Sequence, residues 1–273
     1  MGRVIKTLAE GKTICGMATL YNHLYVLRYD KSSKQIEVYE VDSFCLLHSL
    51  TVHGLGIRHD IAVCRHNLCA YVSDASHNSV HKVPLSGATA TQWPVNDKPL
   101  RLSVTVKHSL LVTCRDVHKI KEFTADGQIL REVLLSQDVC APMHAVQLSS
   151  GEFIVCHGDG GDPLRRVCLI GSDGQVVKSF GGPKGSGSQG MGVPVQMTVA
   201  DVNDFVFVAD RKNYRVLVLS PTLTYVRDVV SRDQLQWGPN RLCLDVQRRH
   251  LYVAVNDYKD DKWTAGRVVV VSM

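Results

Sequence analysis

The sequence predicts an all-β fold, a six-bladed β-propeller of four-stranded antiparallel blades, and three observations support this prediction. Short apolar runs rich in Val, Leu, Ile and Tyr alternate with Gly, Asp, Asn and Ser, which is typical of strands and turns. These runs recur along the chain at intervals of 41 to 52 residues. The last repeat lacks an outer strand, whereas an unassigned apolar strand precedes the first repeat. Repeats of this length are typical of propeller blades.

Each repeat opens with an entry strand that is expected to line the central axis. The equivalent entry positions are spaced by 44, 41, 43, 52 and 45 residues and are Gly16, Asp60, Arg101, His144, Gln196 and Arg241. The entry strands are predicted at 13–20, 57–64, 99–106, 142–148, 194–201 and 239–246. The second strands are predicted at 23–30, 69–76, 110–117, 152–159, 205–212 and 250–257. The third strands are predicted at 36–41, 80–85, 120–127, 166–174, 215–221 and 268–273.

Outer strands are predicted in the first five repeats, and the sixth has none. They lie at 44–52, 90–95, 129–135, 176–182 and 225–231. The N-terminal strand at 3–9 is therefore predicted to supply the missing outer strand and to close the ring, which protects the free sheet edges. Residues 1–273 are expected to form one domain, with blades at about 12–52, 55–95, 97–135, 139–182, 192–231 and 237–273 plus 3–9.

Composition excludes several classes of protein. The chain has 273 residues, a formal net charge of +5, no apolar run of membrane-spanning length and no N-terminal apolar segment typical of a signal peptide. Its nine cysteines are odd in number, form no CxxC pair and mostly sit beside Val, Leu or Ile, which indicates buried reduced thiols. We therefore expect a cytoplasmic protein without disulfides, a cofactor or membrane attachment, and a monomer as an isolated domain.

The fifth repeat carries the most specific motif in the chain. Residues 180–219 read FGGPKGSGSQGMGVPVQMTVADVNDFVFVADRKNYRVLVL, and this stretch resembles the NHL repeat, with the hinge running from Val208 to Val216. The second repeat matches more weakly through YVSDASHNSV, and the remaining repeats keep only the strand pattern. The chain thus resembles the C-terminal propeller of animal tripartite-motif (TRIM-NHL) proteins. The resemblance implies a domain that binds RNA or a protein partner.

Loops that enter the inner strands, and turns between second and third strands, share one face of a propeller. On this face, here called the mouth, the sequence predicts a basic site for RNA or a protein partner. Arginine binds phosphate oxygens in a bidentate manner, and histidine rings offer stacking surfaces to unpaired bases. The predicted site residues are Arg58, His59, Arg101, Arg115, His144, His157, Gln196, Arg211, Lys212 and Arg241. Single-stranded or stem-loop RNA is the favoured ligand.

Two alternative functions remain open at this stage. In the first, the propeller is a protein-interaction platform, such as the substrate-recognition domain of a ubiquitin-ligase-like parent, and uses Leu55, Ile57, Met143 and Trp263. In the second and more remote one, it is a zinc-dependent lyase-like enzyme, since related propellers hold zinc through histidines of several blades. Only His59 and His144 lie near entry positions, and Arg101 and Arg241 would repel a metal. The sequence therefore favours a non-catalytic module without a metal.

Overall fold

Six four-stranded antiparallel sheets are arranged as a ring in the computed structural model of the protein. The structure describes residues 1–29, 34–56, 60–159, 161–183, 185, 190–200, 202–259 and 262–273. The first three blades contain β2 (Thr13–Leu20), β3 (His23–Tyr29), β4 (Lys34–Glu40), β5 (Leu46–Thr51), β6 (Ile61–Cys64), β7 (Cys69–Asp74), β8 (Ser79–Pro84), β9 (Thr91–Pro94), β10 (Arg101–Val104), β11 (Leu110–Cys114), β12 (Lys119–Phe123) and β13 (Ile129–Leu134).

The other three blades repeat this arrangement, and the last of them includes the N-terminal strand. They contain β14 (Pro142–Gln147), β15 (Phe153–His157), β16 (Arg165–Ile170), β17 (Val176–Gly182), β18 (Pro194–Val199), β19 (Val206–Asp210), β20 (Arg215–Leu219), β21 (Tyr225–Val230), β22 (Pro239–Asp245), β23 (His250–Lys259), β24 (Lys262–Ser272) and β1 (Arg3–Gly11). The predicted architecture of six four-stranded antiparallel blades is thereby confirmed.

Burial along each blade explains why its strands differ in sequence. The second strands β7, β11, β15 and β19 are buried at every position, because a neighbouring blade covers each face of the sheet. Strands buried on both faces are expected to be largely apolar, and these strands are apolar except for polar residues near their C-terminal ends. The outer strand β5 is exposed at five of its six positions, and three of its residues, His48, Ser49 and Thr51, are polar.

Hydrophobic clusters between the blades hold the ring together. For example, Tyr71 and Trp93 of the second blade meet edge to face at a centroid distance of 5.9 Å, and Val112 of the third blade packs in the same cluster. Between the third and fourth blades, Leu111 and Phe153 share another cluster. Burying a side chain of this size contributes about 1.5–3 kcal/mol, so each interface is a substantial source of stability.

The N-terminal strand closes the ring. β1 runs antiparallel to β24, with Arg3 opposite Ser272 and Leu8 opposite Val268. Leu8 is also buried, in a cluster that joins the last blade to the first. Closure by the N-terminal strand, predicted from the missing sixth outer strand, is confirmed.

Among the residues that the structure describes, three short helical turns occur where the sequence predicts strand or loop. Two are 3₁₀ turns, Arg115–Val117 and Arg211–Asn213, which lie between the second and third strands of the third and fifth blades. The third, α1 (Arg232–Leu235), is a single turn with a Ser231–Gln234 capping box. The 3₁₀ turns present Arg115 and Arg211 at the mouth. None of the helices among the described residues is long and apolar enough to cross a membrane.

Candidate functional site at the propeller axis

A short sequence pattern brings the entry positions to the axis. In the last four blades a proline stands two residues before the entry position, as in Pro142-Met143-His144. A register shift follows the proline in β14, β18 and β22. Proline is tolerated at the first residue of a strand, and a bulge re-aims the next side chain. The pattern thus directs His144, Gln196 and Arg241 inward.

Two of these axial side chains tie one blade to the next. Gln196 accepts a hydrogen bond from the main-chain nitrogen of Leu242 at 2.6 Å and donates one to the Leu242 carbonyl at 3.3 Å. His144 accepts from the nitrogen of Met197 at 3.3 Å and contacts the carbonyl oxygen of Leu102 at 3.3 Å. Because Nδ1 accepts, the proton lies on Nε2 and the ring is neutral. Burial lowers the pKa of His144 to about 4, which agrees with this tautomer.

Asp60 and Arg241 form a buried ion pair across the axis. Arg241 Nε donates to Asp60 at 2.9 Å, and both side chains are almost fully enclosed. The second Asp60 oxygen accepts from the main-chain nitrogen of Leu102 at 3.0 Å. The Asp60 carboxylate therefore links its own blade to the third and sixth blades. Its removal would leave the positive charge of Arg241 buried without this carboxylate.

Arg101 is placed differently from Arg241. It is 7% exposed, and its Nε is enclosed without a hydrogen-bond partner. Burial, together with repulsion from Arg241, lowers its pKa to about 9. Arg101 is nevertheless a cation at neutral pH, since that pKa lies two units above neutrality.

Other cations surround the axis closer to the surface. Arg115 and Arg211 are partly exposed and share Asp159, whose oxygens lie 3.0 Å and 3.9 Å from their terminal nitrogens. Tyr258 is 54% exposed and interacts electrostatically with Arg211. The mouth cluster comprises these residues and the axial charges, namely Asp60, Arg101, Arg115, Asp159, Arg211, Arg241 and Tyr258. It contains four arginines and two aspartates, so its net charge is positive.

Four predicted site residues that the structure describes are not part of this cluster. His144 and Gln196 join neighbouring blades, as described above, and the other two are Lys212 and His157. Lys212 is exposed but lines a cleft further out, beside Tyr214 and Asp228. His157 is fully buried; its Nδ1 lies 3.2 Å from the carbonyl oxygen of Cys140, and its Nε2 accepts from Arg166 at 3.1 Å. Burial lowers the pKa of His157 to about 4, so this neutral ring is part of the wall. Arg58 and His59 lie outside the described residues.

The hinge of the fifth blade has a structural role. Asp210 is fully buried and accepts from the main-chain nitrogens of Gly192 and Val193 at 2.8 Å and 3.1 Å. Its other oxygen accepts from Asn213 at 2.7 Å and from Arg215 at 3.1 Å. Asp210 thus connects the segment before the inner strand β18 with the turn that follows the second strand β19. Asp74 accepts from Gly56 in the same way in the second blade.

A cavity of about 330 Å³ opens at the opposite end of the axis. It reaches as deep as His144 and Gln196, and its walls include Ser103 and Thr198. Both ring nitrogens of His144 contact main-chain atoms of neighbouring strands. The amide nitrogen and oxygen of Gln196 do the same. The floor of the cavity is therefore made of neutral groups, although its lining also includes Asp204.

Sequence reasoning identified the axial positions but missed two partners of the cations. Asp159 lies in the turn after β15 and pairs with Arg115. The strand pattern already assigns this turn to the mouth, so the position of Asp159 in the sequence could have identified it as a site residue. Cys15 is half-buried at the bulge before Gly16 and interacts electrostatically with Arg241 and Arg101. Its apolar surroundings in the sequence gave no indication of this. Among the described residues, no group of three His, Cys, Asp or Glu is placed to hold a metal ion.

Comparison with known proteins shows the fold. No protein-family model and no curated protein matches the chain. The propeller is similar to a hydrazine synthase from Kuenenia stuttgartiensis, with 14% identity, a TM-score of 0.66 and 96% of each chain covered. It is also similar to virginiamycin B lyase from Staphylococcus aureus, with 10% identity, a TM-score of 0.65, and 98% of this chain and 88% of the lyase covered.

A third solved structure, the Cps50 (Swd1) β-propeller domain from Myceliophteria thermophila, covers 100% of both chains with 9% identity and a TM-score of 0.66. At such low identity the likeness establishes the propeller architecture alone, since one fold hosts many functions. The resemblance to the NHL repeat therefore rests on the residues from 180 to 219 and on the weaker second repeat.

Proposed function

We propose that this protein is a non-catalytic binding module that recognises single-stranded or stem-loop RNA through the mouth cluster. The observation that carries the proposal is the net positive charge of this cluster, at which Arg115 and Arg211 are accessible from solvent. Positive patches supply the sequence-independent part of RNA affinity through phosphate contacts. The exposed ring of Tyr258 adds a surface on which an unpaired base can stack.

Burial of the apolar residues at the mouth supports RNA over a protein ligand. Leu55 and Met143, on which the protein-platform alternative depends, are 4% and 5% exposed. Ile57 and the side chain of Trp263 lie outside the described part of the chain. Protein interfaces typically place aromatic and apolar side chains at their centre, and Leu55 and Met143 are instead used by the core.

Arg101 and Arg241 have a different role in this proposal from Arg115 and Arg211. Both are almost fully buried, so they raise the potential at the mouth without lying on its surface. Direct phosphate contacts are assigned to Arg115 and Arg211, and a peripheral contact to Lys212.

Fluorescence anisotropy with a labelled single-stranded RNA that has hydroxyl ends tests the proposal. We expect saturable binding at low salt, and we expect Arg211→Gln and Arg115→Gln each to reduce the slope of log affinity against log salt by about one. Lys178→Gln on the outer strand β17 is the matched control and should leave the slope unchanged. Absence of saturable binding, or an equal effect of all three substitutions, would reject the proposal in favour of a protein ligand.

A further inference from the structure

We infer that the propeller axis contains a binding site for a phosphate-type oxyanion at the guanidinium of Arg101. The site lies beneath the surface to which the RNA proposal assigns its contacts, and it is independent of that proposal. Its ligand is a small phosphate, either the free ion or a terminal monoester.

Arg101 differs from every other buried arginine that the structure describes. Arg28, Arg215 and Arg241 form ion pairs with Glu37, Asp210 and Asp60. Arg165 donates its Nε to the carbonyl oxygen of Asp159 at 3.1 Å. The Nε of Arg28 also lacks a hydrogen bond, but it lies 3.0 Å from Glu37. Arg101 is equally buried, its Nε has no acceptor, and it forms no ion pair with a described residue. A buried charge normally has a partner, because leaving one unpaired is costly.

The neighbouring carboxylate is already committed to other groups. One oxygen of Asp60 accepts from Arg241, and the other accepts from the main-chain nitrogen of Leu102. Arg241 adds a second positive charge close to Arg101 and thereby opposes its protonation. An anion bound here would stabilise both cations.

Access to the guanidinium favours a small ligand. The Nε of Arg101 is shielded from solvent and has no hydrogen-bond partner. Its two terminal nitrogens do not share this state among the described residues. These terminal nitrogens can therefore donate to an acceptor that arrives from solvent. The side chain as a whole is only 7% exposed, so the backbone of a polymer cannot reach it.

Phosphate has the chemistry that such a site would recognise. A guanidinium presents parallel N–H groups that match two oxygens of a phosphate, and charge-assisted bonds of this kind are stronger than neutral ones. The half-buried thiol of Cys15 lies in the same charged environment, and burial raises its pKa to about 11. The neutral thiol therefore does not compete with an anion for the cations.

Isothermal titration calorimetry with inorganic phosphate, at constant ionic strength maintained with sodium chloride, tests this inference on the whole chain. We expect one phosphate to bind per protein, and Arg101→Met to weaken binding by at least about tenfold. Arg65→Met is the matched control, because Arg65 is exposed and lies over the ring of Tyr21, away from the mouth. It should bind phosphate as the parent does.

A second measurement keeps the test valid if the substitution alters folding. Arg101→Met removes an unpaired buried charge while retaining an apolar side chain, so in phosphate-free buffer its Tm should equal or exceed that of the parent. Phosphate should raise the Tm of the parent and of Arg65→Met in a saturable manner, but not that of Arg101→Met. A lower Tm for Arg101→Met combined with an unchanged phosphate response would overturn the inference, as would the absence of saturable binding by the parent.

Titration with uridine 5′-monophosphate distinguishes the two sources of the ligand. Tighter binding of inorganic phosphate identifies the free ion, and tighter binding of the nucleotide identifies a terminal monoester. Either result supports the site only if Arg101→Met weakens that binding by at least about tenfold. Since the RNA assay uses oligonucleotides with hydroxyl ends, phosphate binding without RNA binding would support this site while rejecting the RNA proposal.

Discussion

His144 and Gln196 make the same kind of inter-blade contact with different side chains. Each accepts a hydrogen bond from a main-chain nitrogen of the following blade, at Met197 and Leu242 respectively. The imidazole can do so only while Nδ1 is unprotonated, whereas the amide of Gln196 has no such restriction. One of the two contacts is therefore sensitive to pH.

Acid should destabilise the fold through His144. Burial lowers its folded-state pKa to about 4, against 6.5 for the unfolded chain. Between these values the unfolded state binds more protons, so the free energy of unfolding falls as the pH falls through this window. Lowering the pH from 7 to 4.5 should cost about 2–3 kcal/mol through this residue. His144→Gln should remove that part of the loss in urea unfolding experiments at both pH values.

Two features of the acid experiment make it specific. His157 also has a pKa lowered to about 4 by burial, so some pH dependence should remain in the variant. His48 is exposed on β5, and His48→Gln should leave the pH dependence unaltered. An identical pH profile for the parent and His144→Gln would show that this imidazole does not lose its contact on protonation.

β1 illustrates how an element joins two distant parts of the chain. Its ladder with β24 supplies the outer strand of the last blade, and Leu8 packs with Tyr252 and Met17 from the last and first blades. The period of the repeats predicted this pairing, because only one outer strand was missing. It could not predict which residues of the strand face the core, since β1 contains two register shifts.

Substitutions within β1 should separate packing from strand pairing. Leu8→Ala should lower the free energy of unfolding by about 2–4 kcal/mol, since Leu8 is 7% exposed. Ile5→Ala, at a position that is 42% exposed, should cost less than about 1 kcal/mol. Urea unfolding monitored by circular dichroism measures both values. Equal small losses would mean that the strand contributes little to the closure of the ring.

At the scale of the whole molecule, the closed ring should unfold as a unit. Cys114 in the third blade and Cys243 in the sixth are both buried, and burial raises the pKa of each thiol to about 12. Both should therefore react with an alkylating reagent only when the ring opens, and at the same rate. Exposed Cys45 should react first. Mass spectrometry of timed samples measures these rates.

The rates also report where the ring is weakest. Faster modification of Cys243 than of Cys114 would contradict a single cooperative opening and would locate local opening in the last blade. Cys45→Ser provides the control, because it removes the fast reaction without changing a buried position.

Repetition made the architecture predictable, and contacts between blades limited what could be predicted of the site. The equivalent positions of the aligned repeats identified the residues that reach the axis. Burial of Arg101 and Arg241 depends on Asp60 and on the packing of several blades, which no local pattern reports. The pairing of Arg115 with Asp159 likewise joins residues 44 positions apart. Local spacing therefore predicts direction toward the axis, while charge pairing is set by the assembled ring.

The position of the closing strand determines how the protein responds to mechanical force. Arg3 lies opposite Ser272, so the two ends of the described chain emerge side by side from the same end of an antiparallel ladder. Tension applied between them acts on one hydrogen-bonded pair at a time, beginning at Arg3 and proceeding toward Gly11, which pairs with Gly266. Each ladder bond contributes only about 1 kcal/mol. Heat must disrupt the ring as a whole, whereas a small pulling force can separate β1 from β24 one hydrogen-bonded pair at a time.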